Sequence, residues 1–204
     1  MARPKREDQR LARRQAILEA AMKIFAQRGY AAATIRGIAR EAEIAQGTIY
    51  LYFPSKRDIL LALYRSMVLE SMEEILARPE QGGEEAFLTT LLVDRIRRFR
   101  QNPRAVRFAF TELPLHKGLR EKFYREIALE QLGRIQKFLN DRIAQGKFRP
   151  LRTEIAARAF QGMYLMFALA EIVHGDAEVG GLTPEEIADE VVQLFLHGAI
   201  RREE

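Results

Sequence analysis

The chain has 204 residues, 48% of them hydrophobic and 30% charged, with a formal net charge of +5 and no cysteine. That length gives one large domain or a small one joined to a larger one, and the missing thiols exclude a disulfide framework, a thiolate nucleophile and a cysteine-type zinc site. The polar N-terminus, "MARPKREDQRLARRQ", lacks the apolar core of a secretory signal, and the longest uncharged apolar run, Gly162 to Ala170, is shorter than the roughly 20 residues of a membrane helix.

Charge is unevenly spread. Residues 1–60 carry 12 Lys/Arg against 6 Asp/Glu, and residues 95–149 carry 15 against 5. The stretches 61–94 and 150–204 are net acidic, at −5 and −6. Two basic blocks between acidic ones point to two anionic partners, or else to two solvated faces.

In chain order, "RRQAILEAAMKIFAQRGY" places Ile17, Ala21, Ile24, Phe25 and Arg28 at helical spacing, with Gly29 as a C-terminal stop. Thr34 is the N-cap of a short second helix that turns Ile38 and Ala42 inward. A third helix runs from about Gln46 to Phe53 and ends at Pro54. Ser55 caps a fourth through Asp58 in "SKRD", and Leu60, Leu63, Tyr64, Met67 and Ile75 continue it until "RPEQGG". Longer helices follow over about Glu84–Arg100, from Asn102 and Pro103 to near Pro114, over Gly118–Gly146 and over Thr153–His174. The last starts at Thr183, Pro184 and Glu186 and reaches about Ala199. No segment alternates with a period of two. The expected fold is all-α.

The second and third helices, joined near Glu43–Ala45, have the spacing of a helix-turn-helix, whose second helix enters the major groove. Small and polar residues belong at the start of such a helix, and here they are Gln46, Gly47 and Thr48. Gly47 costs roughly 1 kcal/mol of helix propensity and lets a backbone approach DNA closely. Tyr50 and Tyr52 offer hydroxyls to phosphates or bases, Ile49 and Phe53 point to the core, and Lys56 suits a phosphate. Tyr50 packed between helices and Arg36 as a solvated residue are the plainer alternatives.

Residues 11–60, through "ILEAAMKIFAQRGYAAATIRGIAREAEIAQGTIYLYFPSKRDIL", resemble the DNA-binding domain of the TetR family of bacterial one-component regulators. The resemblance implies a cytoplasmic homodimer that binds a pseudo-palindromic double-stranded DNA operator. It also implies an N-terminal three-helix helix-turn-helix domain (residues 1–54) followed by a six-helix ligand-binding and dimerisation domain (residues 55–204). Carried over by position, Thr34, Arg36, Gln46, Thr48, Tyr50, Tyr52 and Lys56 match DNA-contacting places. One departure is Glu43, where the family has glycine. It must hold a left-handed conformation or reshape the turn, at about 1 kcal/mol.

The helix at 153–174 is apolar nearly all round from Phe160 to Val173, so it must be covered on more than one side. With the last helix it would form a four-helix interface between two subunits, through Ala159, Met163, Val192, Phe195, Leu196 and Ala199. Aromatics cluster in the same region, and Phe87, Phe108, Phe123, Tyr124, Tyr164 and Phe167 are candidates to bound a cavity or simply to pack. Arg100, Arg104 and Arg107 flank the Asn102–Pro103 junction with geometry suited to phosphate.

"GTIYLYFPSKRDIL" and the "TEL" beginning at Thr111 are similar to the acyl-CoA-responsive TetR regulators of fatty-acid degradation. That second resemblance implies a small amphiphilic effector, a long-chain fatty acyl-CoA, that releases a repressor from its operator. A multidrug or other hydrophobic-ligand regulator is the main alternative. A lipid carrier or enzyme with a basic N-terminal cap is the rival from another class. His116, His174 and His197 lack paired ligands, and no phosphate loop or nucleophile elbow is present. Neither enzyme activity, a cofactor, a metal nor a membrane is expected.

Overall fold

The computed structural model describes residues 4–76 and 82–197. Helices α1 to α4 span Pro4–Ala32, Ile35–Glu41, Gln46–Tyr50 and Lys56–Arg65, and α5 spans Ser71–Leu76 after a π-helical turn at Ser66–Glu70. Then come α6 (Gly83–Gln101), α7 (Pro103–Thr111), α8 (Lys117–Phe123), α9 (Leu129–Ala144), α10 (Thr153–Ala168), α11 (Ala177–Gly181) and α12 (Pro184–His197). Two further π-helical turns, Tyr124–Ala128 and Leu169–His174, join α8 to α9 and extend α10. There is no strand among the described residues. The chain divides into two compact units, Met1–Ser66 and Met67–Glu204.

The first unit is built on α1 to α4. Ile17, Ile38, Ile49 and Ile59, one from each helix, are all completely buried together. α1 begins well before the expected start, and Gly29 breaks it at φ 74°, ψ 164°, a conformation open to glycine. The Thr34 hydroxyl then accepts from the Gly37 N–H at 3.0 Å as the N-cap of α2. Glu43 holds the left-handed conformation at φ 53°, and the Ile44 N–H returns to the Ala39 carbonyl at 3.0 Å. The turn keeps its shape without glycine. α3 is regular only to Tyr50, shorter than expected, and Phe53 still donates to the Ile49 carbonyl at 2.9 Å. α4, opened by Ser55 and Asp58, buries Ile59 in this unit's core. That places it with the first unit, although the expected division lay at residue 54.

In the second unit, α6, α9, α10 and α12 surround a core that includes Leu88, Leu92, Leu139, Ala157, Phe160, Tyr164, Ala188 and Val192. The helical run Thr153–His174 is long and apolar enough to cross a bilayer by length and composition, more than its longest uncharged stretch implies. Here Ala157, Phe160, Tyr164 and Ala168 pack it into the core. Its other face stays open: Ile155 and Met166 are 56% and 60% exposed, with exposed Ala159 and half-buried Met163 on the same stripe.

Candidate functional site

The first unit sorts its recognition helix cleanly. Ile49 and Phe53 are buried, while Gln46 and Gly47 are exposed and Thr48 is half-buried. Tyr50 is 50% exposed, and Leu51, which the sequence reading passed over, is 76% exposed. Tyr52 is half-buried against the core, and Thr34 and Arg36 are exposed. Gln46, Gly47 and Tyr50 therefore share an open surface of small, amide and phenol groups, the composition a groove-reading helix needs. Leu51's exposure could have been inferred from its place opposite Phe53 and Ile49.

Lys56 is occupied elsewhere. Its ammonium donates to the carbonyls of Tyr30, Ala31 and Ala33 at 2.7, 3.2 and 2.8 Å. It also sits 4.4 Å from the Tyr30 ring centroid. All three donors are thus spent on the broken end of α1, where carbonyls lack helical partners. Burial lowers its pKa below the usual lysine value. Within the chain Lys56 thus acts as a cap, since the carbonyl end of a helix attracts a cation.

Several cations of the second basic block are likewise bonded within the chain. Arg97 pairs with Glu185, Arg98 with Asp94 at 2.8 Å, and Arg120 donates to the Pro114 carbonyl at 3.1 Å. Arg100 donates to Glu171 at 3.0 Å and to the Leu182 carbonyl at 2.8 Å. Arg107 donates to the carbonyls of Val173, at 3.0 Å, and Ile172. Arg100 and Arg107 thus hold the end of the π-helical turn Leu169–His174 rather than forming an open phosphate clamp. The acidic stretches that flank the block supply several of its partners. Arg104 is exposed, as is Thr111, whose hydroxyl donates to the Arg107 carbonyl at 2.9 Å.

A small apolar cavity lies in the second unit. Met72, Phe87, Leu88, Leu91, Ile135, Phe138, Leu139, Phe160 and Phe195 line a narrow crevice, partly open to solvent, with room for about one water molecule. Phe87, expected to meet a ligand, is here and stacks on Phe138 with centroids 4.9 Å apart. Tyr164 is buried beside it in sequence order, one turn past Phe160, and Phe108 is buried as well. Phe123 and Phe167 are half-buried and Tyr124 is 51% exposed, and none of these five aromatics, Tyr164 and Phe108 included, lines the cavity.

Among the expected dimer contacts, Val192 is completely buried in its own subunit's core, and Phe195 packs on Phe160 at 4.7 Å and lines the cavity. Val192 is corrected to internal packing, because the apolar stripe of α12 faces α6 and α10, and half-buried Phe195 packs on the same side. Leu196 is half-buried against the same core, and Ala199 lies outside the described residues. Ala159 and Met163 remain on the open face of α10. No group of metal-binding side chains occurs among the described residues.

Comparison with known proteins agrees with this architecture. Residues 17–63 match the family described as bacterial regulatory proteins, tetR family, and residues 94–198 match the AefR-like transcriptional repressor C-terminal domain. The fatty acid metabolism regulator protein of Bacillus subtilis (strain 168) is 39% identical over 69 residues, which is 34% of this chain and 34% of that protein. The matched segment thus spans about a third of that relative. A FadR regulator from Bacillus subtilis, solved in complex with stearoyl-CoA, superposes with a TM-score of 0.72 at 22% identity, covering 91% of this chain and 99% of that one. The fatty acid degradation regulator FadR from Bacillus halodurans gives 0.71 at 23% identity, covering 93% and 97%. At such identities the two structures share the fold.

Proposed function

Since the chain belongs to the TetR family of bacterial regulatory proteins, and is a transcriptional regulator of that type, we propose that it is a cytoplasmic homodimeric repressor released by an amphiphilic acyl effector. The observation that carries the DNA-binding half is the split of α3 and the turn after it: Ile49 and Phe53 buried, Gln46, Gly47 and Tyr50 exposed. Two such helices, set one DNA turn apart, read a pseudo-palindromic operator at half-sites roughly 34–36 Å apart. Exposed Arg36 and Thr34 lie at the edge of the reading surface. The open apolar face of α10, with Ile155, Ala159, Met163 and Met166, supplies the dimer contact.

The finer proposal is a long-chain fatty acyl-CoA as effector. It is supported by the similarity to the Bacillus subtilis fatty acid metabolism regulator, by the fold shared with a protein solved with stearoyl-CoA, and by the apolar cavity. With Arg100 and Arg107 engaged, Arg104 is the candidate of the three for the nucleotide phosphates. The ligand stabilises one arrangement of the segment that follows α4 and so lowers the fit of two reading heads to one operator.

A mobility shift with DNA from upstream of the protein's own gene, titrated with stearoyl-CoA, tests the reading. Sequence-selective binding that stearoyl-CoA reverses is the expected result. Weak, sequence-blind, salt-sensitive binding would instead mark a carrier with a basic cap. Release by uncharged hydrophobic compounds alone would assign the cavity to a multidrug regulator.

A further inference from the structure

Arg95 is 2% exposed, deep in the second unit, on α6. Its Nη1 donates to the Met67 carbonyl at 2.9 Å, but its Nη2 has no hydrogen-bond partner, and no carboxylate pairs with it among the described residues. The neighbouring Asp94 is taken by Arg98. A buried guanidinium with an unpartnered nitrogen and no directly bonded carboxylate is a costly arrangement, and it marks a place where an anion would be welcome.

The surroundings say which kind. Arg95 follows Leu91 by one turn of α6, Gln131 precedes Ile135 by one turn of α9, and Tyr164 follows Phe160 by one turn of α10. Leu91, Ile135 and Phe160 line the apolar cavity. One layer further along the same three helices, beyond the residues that line the cavity, the side chains change to guanidinium, amide and phenol. Gln161 donates to Gln131 at 2.9 Å, and Gln131 donates to the Tyr164 hydroxyl at 2.8 Å. That leaves the Tyr164 proton for another acceptor. Burial raises the Tyr164 pKa, so the group stays a donor at neutral pH.

We propose that this polar layer is a receptor for the carboxylate of an aliphatic acid, with Arg95 as its charged anchor, Tyr164 as a second donor and the hydrocarbon tail widening the adjoining crevice. The inference rests on the reading of the second unit as an acyl-effector domain and adds to it that the free acid binds, in competition with its CoA ester. A carboxylate matches the guanidinium fork in charge and in bidentate geometry, whereas a thioester or an alcohol leaves the buried charge uncompensated. The site also has a readout. Met67 lies in the π-helical turn Ser66–Glu70 that continues α4, and Arg134 holds the Leu69 carbonyl of the same turn at 2.8 Å. A carboxylate that draws on Arg95 competes with the Met67 carbonyl and loosens that turn.

Isothermal titration of the full chain with decanoate, decan-1-ol and decanoyl-CoA tests the proposal. Decanoate should bind about tenfold or more tightly than decan-1-ol. Arg95→Met should erase that preference while decan-1-ol still binds, the alcohol reporting an intact cavity. Equal binding of acid and alcohol by the unaltered protein overturns the receptor without recourse to any variant, and so does a preference that survives Arg95→Met. Binding of decanoyl-CoA with no binding of decanoate leaves the acyl-effector reading standing and overturns the carboxylate site. Binding of none of the three overturns both.

Discussion

Lys56 and Gln46 occupy the same reading unit and should behave in opposite ways. Removing the Lys56 ammonium leaves the carbonyls of Tyr30, Ala31 and Ala33 short of a donor. Lys56→Met should therefore cost about 1 kcal/mol of stability in the first unit, measured by urea unfolding. A phosphate contact would leave stability unchanged and lower the salt slope of operator binding by about one. Gln46 is exposed and touches nothing that folding needs, so Gln46→Ala should keep stability and relax discrimination at particular base pairs, read from binding to a set of operator variants. Glu43 offers a gain. Its φ of 53° places a side chain in a region that glycine occupies freely. Glu43→Gly should stabilise the unit by up to about 1 kcal/mol, offset in part by the added freedom of the unfolded chain, and a raised urea midpoint is the expected measurement.

Single helices depend on charges placed at their ends. The turn Leu169–His174 closes with Gly175 at φ 74° and leaves the carbonyls of Ile172 and Val173, which Arg107 satisfies, while Arg100 pairs with the Glu171 carboxylate. Arg107→Met should speed amide hydrogen exchange across Leu169–His174 far more than elsewhere, since the freed carbonyls sit at the end of an element already open to fraying. At the other end of the unit, Glu84 lies in the first turn of α6 and pairs with Lys147 at 2.5 Å. That hydrogen bond, working against desolvation, holds the Glu84 pKa below its ordinary value. A depressed carboxylate contributes stability that is present above its unfolded pKa and is lost as pH falls through the folded one. The difference in stability between the natural chain and Glu84→Gln should thus be largest near neutrality and shrink in acid, as followed by urea unfolding at several pH values.

For the whole molecule, two phenyl or thioether groups on neighbouring helices have different fates. Phe195 packs on Phe160 and lines the internal cavity, whereas Met166 is 60% exposed on the open face of α10. Met166→Asp should leave thermal unfolding of the isolated subunit unchanged and shift sedimentation toward monomer, because its charge is desolvated only where two subunits meet. Phe195→Asp should lower the unfolding midpoint sharply, because its charge is buried within one subunit. A dimer that survives Met166→Asp at micromolar concentration would move the interface off this face.

The all-α fold, the caps at Thr34 and Ser55, the break at Gly29 and the inward direction of Ile49 and Phe53 were all legible in the sequence, because each is decided by residues within a turn or two of one another. Glu43 was legible only in part: the turn called for a left-handed residue or another shape, and the structure takes the first without glycine. What each cation does was not legible. Lys56 reaches back to Tyr30, Arg100 to Glu171 and Arg107 to Val173, partners that lie far away in sequence. A charge run shows only that cations are present. Whether they face an anion in solution or an orphaned carbonyl inside the chain depends on which helix ends the fold brings beside them. Val192 and Phe195 show the same limit for apolar side chains, since one stripe suits a partner subunit and a subunit's own core equally well. Arg95 is the sharpest case: in sequence it is one arginine among several, and only the packing of α6, α9 and α10 buries it beside Tyr164 with one nitrogen unpartnered.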